Sequence, residues 1–318
     1  KYYMGAGFVS GHIPHGDILE RLRTLAGQRT KAIVERVNPH LEPVVLDYQR
    51  DVLPLTPAGN ATERHVCMAY ENKAAETFPD PAERAAFWAT KLGQAAETVA
   101  KLFADSPGFQ GLIRSKLMKQ GGVGYVQPQG PEFPRLDEVN RLILDAGAIP
   151  TVTWLNGLTE GEQAIDELLD LLLEAGAAAL NIIPDRNWNI ADPGEKRAKV
   201  EKLHEIVDIA QTRGLPVLGG TEMNAHGQRF VDDFDAPEMA PLRPAFVDGA
   251  LTLYAHTILQ RAAGMGYLSD WAAAHFASVH DKNAFFVQAG RGASPENAYG
   301  TLALSADMSP DAVLHALS

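Results

Sequence analysis

Apolar positions in the first part of the chain mostly recur at the spacing of an α-helix. Residues 17–37 carry them at helical spacing, which predicts a helix with Asp17 as its cap. Short apolar runs predict strands at 1–9 and at 43–48, the latter with the sequence PVVLDY. Residues 66–120 show no strand pattern, so we predict a helical segment there, with a break at DSPG.

From residue 136 onward, helical and strand patterns alternate. Amphipathic helices are expected at 136–146, 160–175 and 195–212, and each leads through a glycine to an almost wholly apolar strand at 149–155, 178–184 and 215–219. Continuous apolar strands joined by helices are typical of parallel sheets that are buried on both faces. The pattern therefore predicts a parallel α/β sheet or barrel, followed by an Ala-rich helical region at 235–318.

Polar residues lie at or directly after the ends of the three predicted parallel strands, in the segments WLNG, NIIPDRNWN and GGTEMNAH. The carboxyl ends of parallel strands meet at one edge, so these side chains are expected to line a common pocket. They are Asn156, Asn181, Asp185, Arg186, Asn187, Glu222, Asn224 and His226. Asn156 and Asn187 are also typical turn formers, whereas a carboxylate at Glu222, directly after a buried strand, needs a cation or a donor.

The segment TERH, before the predicted helical region, places Arg64 beside His65. Arginine offers a planar fork to a phosphate, and histidine can ligate a metal or carry a proton. The alternative is an ordinary helix start, with Thr62 as cap and Glu63 in the first turn. Both interpretations stay open at the level of sequence.

Composition narrows the classes of function. The net charge of −12 argues against an extended surface for the nucleic-acid backbone, although it leaves room for a small phosphorylated molecule in a locally basic pocket. No stretch approaches the roughly 18 consecutive apolar residues of a membrane span. The single cysteine, Cys67, excludes an internal disulfide framework and fits a reducing compartment, so we expect a cytoplasmic location and no membrane partner.

Four segments together resemble the polymerase and histidinol phosphatase (PHP) superfamily, in particular its metal-dependent phosphoesterase branch. They are, in order, TERHVCMAYENKA, LMKQGGVGYVQP, FPRLDEVNRLILDAGAIPTVTWLNG and GTEMNA. The resemblance covers about residues 1–228 and depends on the order and spacing of the segments more than on any single motif.

The resemblance implies a distorted (β/α)7 barrel of the TIM-like kind, with its first strands expected upstream of Lys1. Residues 1–65 and 121–234 would form the barrel, 66–120 a helical insertion, and 235–318 a helical C-terminal appendage. The implied activity is hydrolysis of a phosphoester in a small phosphorylated substrate or nucleotide, with divalent manganese, zinc or iron as cofactor.

Carried over to this chain, the resemblance implies an altered metal site. Glu222 stands where the family has an aspartate, Asn224 where it has a histidine, and His226 lies two positions further on. Leu155, which cannot ligate, stands in the place of another family histidine. The implied roles are metal binding for Glu222, Asn224 and His226, catalysis for Arg64 and His65, and substrate binding for Asn156, Asn181, Asp185 and Arg186.

Three hypotheses follow. The chain is a metal-dependent phosphoesterase, or a PHP-fold binding or regulatory protein that has lost metal ligands, or an α/β barrel enzyme that uses Glu222 as a general base without a metal. Leu155 and Asn224 favour the second hypothesis, because they remove imidazoles that hold such metals. The order of the four segments favours the first two over the third.

Overall fold

The computed structural model describes residues 2–11, 13, 16–125, 133–221, 223, 229–295 and 303–317. It divides into two compact units: a helical unit, Gly16–Arg135, and an α/β unit made of Lys1–His15 with Leu136–Ser318. This division differs from the boundaries expected from sequence, because residues 16–65 belong with the helical segment and residues 235–318 belong with the sheet.

The helical unit contains the helices α1 (Gly16–Leu41), α2 (Glu63–Thr77), α3 (Pro81–Leu92), α4 (Ala96–Leu102) and α5 (Ser106–Leu117). Side-chain caps begin two of them: Asp80 accepts from Ala82 N, and Asp105 accepts from Gly108 N. Gly93 adopts a left-handed conformation with φ of 63° and ends α3, as glycine commonly does at helix C-termini. Helices α2 to α5 thus occupy the helical segment predicted at 66–120, and the predicted break at DSPG lies where α5 begins.

Large aromatic side chains fill the core of the helical unit. Trp88 and Phe109 pack edge to face with ring centroids 5.4 Å apart, and Tyr70 and Ile113 are fully buried beside them. Apolar faces of α1, α2, α3 and α5 converge on this cluster. The unit thus has a hydrophobic core of its own.

The prediction of a strand at 43–48 is wrong. Val44 and Leu46 are buried in the core of the helical unit, and the chain continues into a π-helical turn, Tyr48–Val52, and a 3-10 turn, Leu53–Leu55. The Asn38 amide donates to Leu46 O at 2.9 Å and accepts from Leu46 N at 3.0 Å. One side chain therefore satisfies both backbone groups that a strand partner would otherwise bind.

The α/β unit is built on a four-stranded sheet in the order β1 (Tyr3–Ala6), β2 (Ile149–Trp154), β3 (Ala179–Ile182) and β4 (Val217–Gly219). Strand β1 is antiparallel to β2, and β2, β3 and β4 are parallel to one another. The strands predicted at 1–9, 149–155, 178–184 and 215–219 are confirmed.

The helices of this unit are α6 (Leu136–Asp145), α7 (Glu160–Gln163), α8 (Ile165–Glu174), α9 (Asp185–Trp188), α10 (Pro193–Thr212), α11 (Arg243–Ala263), α12 (Asp270–His275), α13 (Val279–Gly292) and α14 (Pro310–Leu317). One apolar cluster joins one face of the sheet to α8 and α10, and another joins the opposite face to α11, α13 and α14. The sheet is therefore a buried middle layer between helices.

The predicted (β/α)7 TIM-like barrel is wrong, because the sheet is open. Helix α11 packs so closely on β4 that a Cβ on Gly249 would lie 1.9 Å from the Val217 carbonyl oxygen. Pro216 O accepts from Leu180 on the β3 side, so the Val217 carbonyl points to the outer edge of β4. A helix thus covers the edge where barrel closure needs another strand, and helices cover both faces.

Candidate functional site

The carboxyl ends of the parallel strands form one edge of the sheet. The register places Trp154 beside Ile182 and Ile182 beside Gly219, so the segments that follow these residues are neighbours. Gly220 N extends the pairing by donating to Ile182 O at 2.8 Å. In open α/β sheets, ligands bind outside this edge, which makes it the candidate site.

A buried glutamate organises the loop after β2. The Glu162 carboxylate accepts from the backbone N–H groups of Leu155, Asn156 and Gly157 at 2.8, 3.2 and 3.0 Å, and Glu162 is only 3% exposed. The Asn156 side chain accepts from Leu158 N at 3.0 Å, which is the role of a turn former. Asn156 therefore reaches the edge in a loop that Glu162 holds in place.

Asn181 lies within strand β3, near its carboxyl end, whereas Asn156 and Asp185 lie in the segments that follow their strands. It is 7% exposed, and its side chain has no hydrogen-bond partner among the described residues. A Cβ on Gly220 would lie 2.7 Å from Asn181 Oδ1, so the amide occupies the space beside that glycine. Neither of its polar atoms is among the fully buried, unpartnered atoms of the described residues, so both are reached by solvent and can bind a ligand at this edge.

Helix α9, directly after β3, carries the other predicted residues of this edge. Asp185 N donates to Asp232 Oδ1 at 2.8 Å, and Arg229 Nε lies 3.7 Å from Asp185 Oδ1. Burial raises the pKa of Asp232, an effect that the N–H of Asp185 only partly offsets. Arg186 is exposed on the same helix, so acidic and basic groups lie together here.

Asn187 has a structural position in the same helix. It is fully buried, and its Nδ2 donates to the carbonyl oxygens of Leu155 and Ile183, each at 3.0 Å. These two bonds tie the end of β2 to the end of β3. Its Oδ1 is buried and has no hydrogen-bond partner in the part of the chain that the structure describes.

The structure brings together Asn156, Asn181, Asp185 and Arg186, the residues predicted to bind substrate, at or beside one edge. The predicted metal ligands Glu222, Asn224 and His226 lie outside the described residues. Their assignment stays a prediction. They follow Thr221 along the chain, directly after the end of β4.

Arg64 and His65, predicted as catalytic, belong to the helical unit at the start of α2. His65 Nδ1 accepts from Thr62 N at 3.1 Å, and the Thr62 side chain accepts from the His65 backbone N–H, so the two residues form a capping box. The helix-start alternative therefore describes the observed contacts of His65. The catalytic role of the pair stays a prediction.

In the described ranges, no group of three or more His, Cys, Asp or Glu side chains is arranged to hold a metal ion. The described residues alone therefore do not form the manganese, zinc or iron site that the resemblance implies.

Sequence reasoning missed Glu162, Asp232 and Arg229. Glu162 lies in a predicted helix, where a glutamate is normally a solvated surface residue. Asp232 and Arg229 lie in an acidic loop beyond the last predicted strand. A usable signal for Glu162 was its place shortly after a strand end with a glycine turn, where unpaired N–H groups need an acceptor.

Comparison with known proteins adds no assignment: no protein-family model matches the chain, and no curated protein matches it significantly. Among the helices that the structure describes, none is long and apolar enough to cross a membrane.

Proposed function

We propose that the protein is a phosphoester hydrolase that binds a small phosphorylated molecule or nucleotide at the carboxyl edge of β2, β3 and β4. The observation that carries the proposal is the nearly buried Asn181 amide, unpartnered among the described residues, beside Gly220 at this edge. The amide supplies donors for a phosphoryl oxygen, and the glycine leaves room for the amide beside the backbone.

Charge beside the edge supports the same ligand class. Arg186 is exposed on α9 and Arg229 lies near Asp185, so two guanidinium groups lie beside this edge of a chain that is acidic as a whole. Guanidinium groups bind phosphate through paired N–H donors. In this proposal Asn181 orients the phosphoryl group and Arg186 offsets its charge.

Glu222 is proposed as the carboxylate that activates water, either as a metal ligand or as a general base. The test is the variant Glu222→Gln, with turnover and metal content both measured. Loss of turnover with unchanged metal content assigns a general base, and loss of both assigns a ligand. Retention of full turnover contradicts either role.

The activity itself is tested by phosphate release from p-nitrophenyl phosphate and from nucleoside monophosphates, with and without added manganese. We expect turnover that falls at least tenfold in Asn181→Ala and Arg186→Ala, which remove groups that contact the charged phosphoryl group. Arg197→Ala, at an exposed position of α10, is the matched control and should retain activity. Absence of phosphate release under all conditions contradicts hydrolysis.

A second candidate is binding of the same ligand without hydrolysis. Leu155 and Asn224, which stand where the resemblance implies metal-binding histidines, favour it. Calorimetric titration with a nucleoside monophosphate distinguishes the two, because this candidate requires binding that depends on Asn181 in the absence of turnover.

A further inference from the structure

A separate cavity of about 410 Å³ lies in the helical unit between α2, α3 and α5. One acidic and one basic side chain line it, Glu71 from α2 and Arg84 from α3. Its apolar wall is formed by Met68, Phe103 and Phe109. The cavity therefore combines both signs of charge with an apolar surface, and it is formed wholly within one compact unit.

Two donors from α5 hold the Glu71 carboxylate in position. Ser106 Oγ and Gln110 Nε2 each donate to Glu71 Oε2 at 2.7 Å, and Gln110 Nε2 also lies 3.1 Å from Ser106 Oγ. The second oxygen, Oε1, accepts no hydrogen bond from any described residue. A half-buried carboxylate is thus oriented with one oxygen left for another donor.

Arg84 is held in place by different contacts. Its Nη1 donates to Phe78 O at 3.3 Å, and its guanidinium carbon lies 4.8 Å from the centre of the Phe103 ring. Within the described ranges, no carboxylate pairs with Arg84, and Glu71 and Arg84 form no ion pair with each other. Both charges therefore remain available to one ligand.

We propose that this cavity binds a small zwitterion of the α-amino acid class with an apolar side chain. Glu71 Oε1 accepts from the ligand's ammonium group, Arg84 donates to its carboxylate, and the side chain lies against Phe103, Phe109 and Met68. A polyphosphate is disfavoured by Glu71, and a simple amine leaves Arg84 without an anionic partner. A zwitterion satisfies both groups with no net charge.

Calorimetric titration of the whole chain tests the ligand class. The probes are L-phenylalanine, L-methionine and L-leucine, compared with 3-phenylpropionate, which lacks the ammonium group, and 2-phenylethylamine, which lacks the carboxylate. We expect at least one amino acid to bind and, if it is phenylalanine, to bind at least tenfold more tightly than either analogue, because each analogue loses a charge-assisted contact. The proposal is overturned if none of the three amino acids binds, or if phenylalanine and its two analogues bind equally well.

Two variants assign the contacts. Glu71→Gln should weaken amino-acid binding at least tenfold and leave 3-phenylpropionate unaffected, whereas Arg84→Gln should weaken it similarly and leave 2-phenylethylamine unaffected. Glu76→Gln, an exposed partner of Lys73 on the same helix, is the control. Thermal unfolding of each variant verifies folding. Unchanged amino-acid affinity in a folded Glu71→Gln or Arg84→Gln variant overturns the assignment.

Discussion

The α/β unit and the helical unit place polar groups in different ways. In the α/β unit, the buried side chains of Glu162 and Asn187 bind backbone groups where strands end. In the helical unit, Glu63 and Glu71 link helices from half-buried positions around an apolar, aromatic core. The difference follows from backbone bonding: helices satisfy most of their own groups, whereas a strand end leaves donors and acceptors that need partners from elsewhere.

The largest effect is expected from replacing a glycine by alanine, because this substitution should destabilise the α/β unit at one position and stabilise the helical unit at another. Gly249→Ala should destabilise the α/β unit by about 3 kcal/mol, because the new Cβ meets the backbone of β4. In Gly111→Ala in α5, the new Cβ meets no atom of the described residues within 4 Å, so this variant should stabilise the helical unit by about 0.5–1 kcal/mol. Hydrogen exchange of β4 and α5 amides measures each free energy of opening. A cost below about 1 kcal/mol for Gly249→Ala contradicts the close packing of α11 on β4.

Removal of the charge that holds the β2 loop comes next in size. Glu162→Gln replaces an acceptor oxygen by an N–H donor facing backbone N–H groups, and should cost about 2 kcal/mol. Exchange of the Leu155, Asn156 and Gly157 amides should accelerate. Glu160→Gln, exposed on the same short helix, should change stability by less than about 0.5 kcal/mol. Equal effects of the two variants contradict the buried role of Glu162.

Two carboxylates, one in each unit, should contribute to the free energy of unfolding with opposite pH dependence. Burial raises the pKa of Asp232 above its ordinary 3.8, so folding favours its protonated form and its contribution to stability is lost as pH rises through the raised pKa. Asp232→Asn keeps an acceptor for Asp185 N. The stability of this variant relative to the unsubstituted chain should therefore increase by up to about 1 kcal/mol between pH 3 and pH 7. Denaturant unfolding at the two pH values measures this difference.

Glu63 provides the matched case in the helical unit. Burial alone raises its pKa, but Lys119 and Arg114, whose nitrogens lie 2.8 and 2.6 Å from its Oε2, outweigh burial and lower the pKa below 4.5. Its stabilisation is present above pH 4.5 and is lost as pH falls through the lowered pKa. Glu63→Gln should therefore cost about 1 kcal/mol at pH 7 and nothing in strong acid. If the stability of both variants relative to the unsubstituted chain changes in the same direction with rising pH, the contrast between the two carboxylates is contradicted.

The part of the fold that could be predicted from sequence is the part with a clear local period. The apolar strands at 149–155, 178–184 and 215–219, with helices between them, are confirmed because buried parallel strands and amphipathic helices have distinct patterns. The strand prediction at 43–48 is wrong because this apolar run is too short to show a clear pattern. A strand and a segment that is buried in the helical core and bonded to Asn38 have the same sequence signal at this length.

The candidate site divides in the same way. Polar residues after the strands identified the edge, since the register of a parallel sheet brings Asn156, Asn181 and Asp185 to it. Glu162 could not be recognised as buried, because its role depends on three N–H groups that converge only after the loop has folded. The partner of Asp185 N, Asp232, lies 47 residues further along the chain, beyond the range of local patterns.

By itself, the sequence determined the alternation of helices and parallel strands and the presence of polar groups at the strand ends, because both arise from local spacing and burial. Only the tertiary structure decided between an open sheet and a barrel. That choice depends on whether the outer edge of β4 meets another strand or a helix, and Gly249 lets α11 take the place beside Val217. A contact between residues that are distant in sequence leaves no period in the chain.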